Sequence, residues 1–371
     1  MEEREINQTV IPVIPETVSK RITSLRFILA CLVVMFHNNK TLLFVLSQGG
    51  ISLSNPEFLA HLPQIFFQYV LSAAPVPLFF IFSSYLSGKK NYPYLVLIKK
   101  KLRSLLLPLL LWPVLVIGFR ILLKLVLILV FPDKVSHELP FVHEWNLRDW
   151  FCAFFGYYFP AYNRPILCEP FILPLYFIRD LLIMDMISPL IKKVVRCCAI
   201  PFMLLLAAMY FLSIRPIIVC TNAFVFYSIG IYCAEYDFDF FEFVDRIPWK
   251  VIFVFILIFM GIYVRFHSSD YIVLFSCILT LKYSKIIAEG SEKVFAVIKY
   301  LSGFSFFLYA IHDSYLLMIF TTNWFNLVPR NFVTDLLEYF VLAPLLCVVG
   351  TVIGITLKKV IPKLFYLLNG R

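Results

Sequence analysis

Two histidines and a small set of cations are the residues in this chain whose types and spacing could do chemistry. Arg26 and His37 close the ends of one run, Arg26-Phe-Ile-Leu-Ala-Cys-Leu-Val-Val-Met-Phe-His37. On an α-helix that spacing is about three turns, so the side chains share a face roughly 16 Å apart along the axis. An imidazole can take a proton near neutral pH, and a guanidinium can hold an anion. The residues between them are apolar, so both polar groups must face protein or a water-filled cavity. A histidine kept only for packing is the plainer use of His37.

Three further stretches carry polar groups inside apolar surroundings. In Ser305-Phe-Phe-Leu-Tyr309-Ala-Ile-His312-Asp313, Tyr309 and His312 share a helix face. Asp313 points away from His312, so no His–Asp dyad forms within that helix. A helix-packing hydrogen bond is the alternative for His312. In Lys99-Lys-Lys-Leu-Arg103, Lys100 and Arg103 share a face. There a bidentate arginine and a point-charge lysine could grip phosphate, with Arg26 joining them. The same cluster also reads as loop charge that fixes topology. Arg179 and Asp180, near the middle of an apolar run, diverge by about 100° on a helix. They are therefore expected not to pair with each other, and each seeks a partner on another helix in a structural salt bridge.

These groups need a scaffold, and the composition says which. Of 371 residues, 61% are hydrophobic, 18% aromatic and only 15% charged, with mean hydropathy +0.86. A soluble surface needs more charge, so the chain reads as an all-α integral membrane protein lying in a lipid bilayer. The net charge of +10 belongs to loops rather than to nucleic-acid binding. Met1–Lys20 opens with Glu2, Glu3, Arg4 and Glu5, which is no signal peptide.

Apolar windows of about 20 residues suggest about ten transmembrane helices: 22–46, 64–87, 104–130, 168–190, 198–214, 216–234, 249–266, 269–286, 300–323 and 336–360. Residues 1–21 and 361–371 are then tails flanking one membrane domain, 22–360. With the N-terminus in the cytoplasm, Lys and Arg crowd the inner loops, for example Lys89, Lys90, Lys99 to Lys101, Lys192, Lys193, Lys358 and Lys359. The outer loops hold few, among them Lys134, Arg148, Arg164 and Arg330. This bias puts both termini in the cytoplasm. His37 would lie roughly 20 Å and His312 roughly 18 Å from the inner ends of their helices, a depth at which they could line one cavity.

The outer loop at 131–167 gathers Trp145, Trp150, Phe154, Tyr157, Tyr158 and Tyr162 among Glu138, His143, Glu144, Arg148 and Asp149. An interfacial aromatic belt explains it, and a sugar-stacking platform is the alternative. Cys152 and Cys168 lie in this loop and could form a disulfide. No metal-type spacing is present.

Taken together, these stretches resemble the acyltransferase-3 family of bacterial integral membrane O-acyltransferases over most of the chain. Arg26 and His37 fit its Arg/Lys-x10-His signature. Pro77 to Phe80 fits Pro-Leu-Phe-Phe, and Ser83 to Leu86 fits Ser-Gly-x-Leu with Ser84 for Gly. Lys100 and Arg103 stand for Arg-x-x-Arg. Pro174 to Asp180 is similar to Pro-Leu-Trp-Phe-Leu-Arg-Asp, and Tyr309 and His312 to Tyr-x-x-His.

The resemblance implies an acyl-CoA-dependent O-acyltransferase of the bacterial inner membrane, with O-acetyl transfer the expected case. The acyl group would pass from cytoplasmic acyl-CoA, a co-substrate and not a bound cofactor, to a hydroxyl of a surface or exported carbohydrate. His37, with Arg26, would carry the catalysis. Lys100, Arg103, Ser83 and Ser84 would hold the donor, and Arg179, Asp180, Tyr309 and His312 would line the cavity or meet the acceptor. Tyr309, Ser83 and Arg179 are the candidates for stabilising the oxyanion. A secondary transporter or a polysaccharide flippase or polymerase would share the helices, but no internal repeat supports a transporter.

Overall fold

Helix α1 (Glu16–His37) is the element around which the others gather. Its buried positions Val18, Ile22, Leu25, Leu29 and Val33 recur at helical spacing, giving one continuous apolar stripe. It begins before Ile22, and the rest of the span expected to residue 46 lies, past Asn38, outside the described residues; the helix ends at His37. The cause is Asn38, which leaves helical geometry at φ −87°, ψ 64°, and whose N–H turns back to Val34 O and Met35 O. Its side-chain Nδ2 donates to Glu338 O at 3.0 Å. A polar amide that bonds locally ends a helix that hydropathy alone would continue. His37 is therefore a helix-terminal residue.

The computed structural model describes residues 14–38, 55–90, 92–130, 145–161, 164–168, 171–214, 216, 219–266, 270–312, 320, 324 and 326–371. After α1 come two short helices and a π turn within 56–71, then α2 (Pro75–Lys90). Next are α3 (Tyr94–Val130), interrupted by a π turn at Leu102–Leu106, and the short α4 (Leu147–Phe155). A hairpin follows, β1 (Tyr157–Ala161) antiparallel to β2 (Arg164–Cys168), with Tyr157 opposite Cys168. The remaining elements are α5 (Leu175–Phe211), α6 (Thr221–Glu235), α7 (Trp249–Phe266), α8 (Asp270–Ala288), α9 (Glu292–Ser302), α10 (Ser305–Ile311), α11 (Phe332–Val360) and α12 (Pro362–Leu368).

Among the described residues, four helices are long and apolar enough to cross a membrane: 62–90, α3, α5 and α11. A fifth is added if α9 and α10, bent by 49°, form one span. Ten spans is thus more than length and composition support here, although helices stand at each expected position. The expected spans at 168–190 and 198–214 correspond to two helices that meet at a kink within α5, at Cys198, where φ −149° and ψ 57° are non-helical. Pro201 explains the break, because its ring collides with the carbonyl one turn earlier and removes a helical hydrogen bond. The start expected at 168 falls in β2, so α5 begins only at Leu175.

α1 packs against α2, α8, α9, α10, α11 and the π turn at Phe66–Leu71, while α2 lies along α6 and α6 along α5. The α2–α6 contact is close because Gly230 has no side chain: a Cβ there would strike Ser84 Oγ and the Ile81 carbonyl. The segment beyond residue 361 is not a loose tail. Phe365 and Leu368 of α12 are buried, and Trp112 Nε1 donates to Leu368 O at 3.1 Å. Seven cysteines are free, whereas Cys152 is disulfide-bonded.

Candidate active site

The cations singled out from sequence converge. Arg26 of α1, Ser83 of α2, Lys100 and Arg103 of α3, and Tyr309 of α10 line one cavity of about 790 Å³, toward the upper end of small-molecule sites. Lys90, Lys101 and Arg371 complete a set of six cations in its lining, which among the described residues contains no Asp or Glu. Phe79, Phe82, Leu86, Leu97, Phe177, Leu181 and Phe306 supply apolar wall. Such a vessel suits a ligand with several negative charges at one end and an apolar or extended remainder.

Two features pose the cations. The π turn at Leu102–Leu106 widens the helix where Arg103 must face the cavity, and none of its residues is buried. Lys100 Nζ rests 3.7 Å from the centre of the Tyr92 ring, itself a lining residue. Lys101 is treated differently: its Nζ lies 2.9 Å from Asp185 Oδ2, and that carboxylate is fully buried. Tyr227 donates to Asp185 Oδ1 at 2.7 Å. The sequence reading passed over Lys101, Asp185 and Tyr227. The available signal was a second carboxylate, five residues past Asp180, in an otherwise apolar run.

Neither His37 nor His312 is among the residues that line the cavity; they meet each other beyond Tyr309. Tyr309 lines the cavity, the Tyr309 and His312 rings are 5.9 Å apart, and the His312 and His37 rings are 5.0 Å apart. α1 and the end of α10 thus bring the two histidines together. His312 is buried, its Nδ1 lies 2.6 Å from Tyr309 O, and among the described residues its Nε2 has no hydrogen-bond partner. A carbonyl only accepts, so Nδ1 carries the proton and Nε2 presents a lone pair. Asp313 lies outside the described residues.

Not every candidate joins the site. Arg179 and Asp180 do pair, contrary to expectation: Nε and Nη2 reach Asp180 Oδ1 at 2.8 and 2.6 Å. The 100° divergence applies to Cβ directions, and a long arginine side chain folds back across it. The pair also clips helices together. Arg179 Nη1 donates to Phe155 O and Gly156 O at the end of α4, and Asp180 Oδ2 accepts from Cys220 N at the start of α6. Neither residue lines the cavity. Ser84 is buried, donates to Phe80 O and Ile81 O, and faces Gly230. Of the oxyanion candidates, Tyr309 already donates to Pro174 O at 2.5 Å, while Ser83 lines the cavity.

The sequence profile of an acyltransferase domain, that of the acyltransferase-3 family, matches residues 20–358. The chain belongs to this family. It is a multi-pass membrane acyltransferase, and both histidines and all six cavity cations except Arg371 fall within the matched residues. No curated protein and no solved structure matches the chain. Within the acyltransferase-3 pattern, the Ser84 departure is accommodated by Gly230, which leaves room for the extra hydroxymethyl group. The aromatic cluster expected in the outer loop packs on itself: Trp145 meets Trp150 at 5.1 Å, and Trp150 stacks on Phe154 at 6.3 Å. Glu138, His143, Glu144 and Tyr162 lie outside the described residues.

Proposed function

We propose that the protein is an acyl-CoA-dependent O-acyltransferase, transferring acetyl as the simplest case to a hydroxyl of an exported or surface carbohydrate. The observation that carries this reading is the cavity itself, whose lining among the described residues has six basic side chains and no Asp or Glu. A coenzyme A donor brings phosphates to such cations and an extended pantetheine arm to the aromatic and aliphatic wall. Arg26, Lys100 and Arg103 take the phosphates, and Ser83 lies along the arm. The thioester is carried toward Tyr309, beyond which the His312 and His37 rings follow in contact.

In the reaction His37 takes the proton from the acceptor hydroxyl as its oxygen attacks the thioester carbonyl. The C–O bond forms, the C–S bond breaks, and the proton passes to the departing thiolate, leaving an ester and free coenzyme A. No net proton is consumed. The lone pair on His312 Nε2 steadies the protonated His37 ring next to it. The enzyme sits in a bacterial cytoplasmic membrane with both termini in the cytoplasm, so the donor enters from the side where coenzyme A is made.

The test is release of coenzyme A thiol from acetyl-CoA by the purified protein. Arg103→Ala and Lys100→Ala are expected to raise the donor KM by about tenfold each, the worth of a charged phosphate contact, while kcat changes little. A donor KM unchanged from the wild type in both variants would refute the donor site.

A further inference from the structure

The family match and the cavity account for the donor side of the reaction, but a second group of polar residues near His37 serves neither. Along 56–71, His61, Gln64 and Gln68 fall on one face, and along α11 Asp335, Glu338 and Tyr339 do the same. The two faces meet. Gln64 Nε2 donates to Asp335 O at 2.9 Å, Tyr339 donates to Gln68 Oε1 at 3.2 Å, and His61 Nε2 stands 3.6 Å from Asp335 Oδ2. His61, Gln64 and Glu338 are fully buried, as is Asn38.

This seam holds the chain on both sides of His37. Gln68 Nε2 donates to Phe36 O at 2.6 Å, and Asn38 Nδ2 donates to Glu338 O at 3.0 Å. Because each amide nitrogen faces a carbonyl, which can only accept, the orientation of each amide is fixed and its oxygen points elsewhere. Among the described residues, Asn38 Oδ1 and Gln64 Oε1 then have no donor, and His61 Nε2 has no hydrogen bond. Buried acceptors left bare are costly and rare, and proteins keep them where water or a ligand supplies the missing donors. His61 Nδ1 lies 2.7 Å from Glu57 O, so its Nε2 presents a lone pair 3.6 Å from Asp335 Oδ2, and two acceptors side by side call for two donors. The chemistry of the set is selective: amide oxygens ask for a ligand rich in O–H donors, and with Asp335 and Glu338 against Arg330, whose Nε lies 3.5 Å from Asp335 Oδ1, the balance of charge disfavours an anion. That is the opposite of the donor cavity.

We propose that the seam of Asn38, His61, Gln64, Asp335 and Glu338 is the acceptor half of the active site. It takes neighbouring hydroxyls of an uncharged sugar or polyol and presents one of them to His37. The inference rests on the acyltransferase reading given above and adds the place and charge class of the acceptor.

The experiment uses the purified full chain, labelled acetyl-CoA, and unacylated glycan extracted from a strain lacking the gene. Gln64→Met and Asn38→Leu remove the bare oxygens while keeping bulk, and a thermal unfolding scan accompanies each assay. The glycan concentration for half-maximal transfer is expected to rise about tenfold, the loss of one hydrogen bond to a buried group. The acetyl-CoA KM is expected to stay within about twofold, since the seam does not touch the donor. An unchanged glycan requirement in folded variants would overturn the proposal, and so would a fall in kcat with both KM values unchanged, because the seam would then only position His37. If a variant does not fold, Gln64→Glu decides instead: its added charge is expected to raise the glycan requirement as well, and an unchanged requirement again overturns the proposal. A wild-type protein that transfers no label from acetyl-CoA would instead bring down the acyltransferase reading itself.

Discussion

His312 is the residue whose chemistry the structure defines most narrowly. Its Nδ1 proton is committed to Tyr309 O, and its buried Nε2 lone pair adjoins the His37 ring. A phenyl ring would fill the same space without the lone pair. His312→Phe is therefore expected to lower kcat by about a hundredfold, within the range of a positioned acid–base partner, with the acetyl-CoA KM unchanged. Steady-state kinetics on the purified variant measure both. Equal kcat would reduce His312 to a packing residue. The Arg26–His37 spacing was legible because helical periodicity turns a count of residues into a distance. The contact between the histidines was not, because it depends on which helices pack together. Arg179 and Asp180 were misjudged for a related reason: sequence gives the direction in which a side chain starts, not where a flexible one ends.

At the scale of helices, two features outside the reacting groups set the shape of the cavity. The first is the Lys101–Asp185–Tyr227 network, which ties α3 to α5 and α6. Removing only Lys101 leaves a carboxylate uncompensated in the interior. Lys101→Met is expected to destabilise the fold by about 3–5 kcal/mol, whereas Lys101→Met with Asp185→Leu recovers most of that loss. Thermal unfolding of the single and double variants in detergent tests this coupling, and equal midpoints would deny it. The second is the close α2–α6 contact at Gly230. Gly230→Ala forces a methyl group onto Ser84 Oγ and the Ile81 carbonyl, for which about 1–3 kcal/mol is expected. The doubly substituted Ser84→Gly, Gly230→Ala protein is expected to regain part of it. Helix existence was legible from hydropathy, but ends and breaks were not. Asn38, Cys198 and the π turn at Leu102–Leu106 are decided by one or two hydrogen bonds each, which a 20-residue window averages away.

For the molecule as a whole, the account is one of charge separation across a short distance. A cavity walled by Arg26, Lys90, Lys100, Lys101, Arg103 and Arg371 lies at one end of a line of rings. At the other end, beside His37, is a seam holding Asp335 and Glu338. The cationic wall predicts that the acetyl-CoA KM rises with ionic strength, steeply between about 0.01 and 0.15 M where the screening length falls from about 30 to 8 Å. Vmax should change little, and a salt-independent KM would contradict the electrostatic part of the donor site. The cluster at Lys100 and Arg103 was visible in sequence. Lys90 was legible only as loop charge, and the contribution of Arg371 was not legible at all, since it lies far along the sequence and meets the cluster only in the fold.

The central claim is that donor binding and acyl transfer occupy different ends of one path, with His37 at the transfer end. A single-turnover experiment with labelled acetyl-CoA on His37→Ala measures this most directly, with donor retention and thiol release followed in the same sample. The account predicts that the variant holds the donor as tightly as the wild type and releases no coenzyme A thiol above the uncatalysed rate. Thiol release at the wild-type rate from the His37→Ala protein would contradict it.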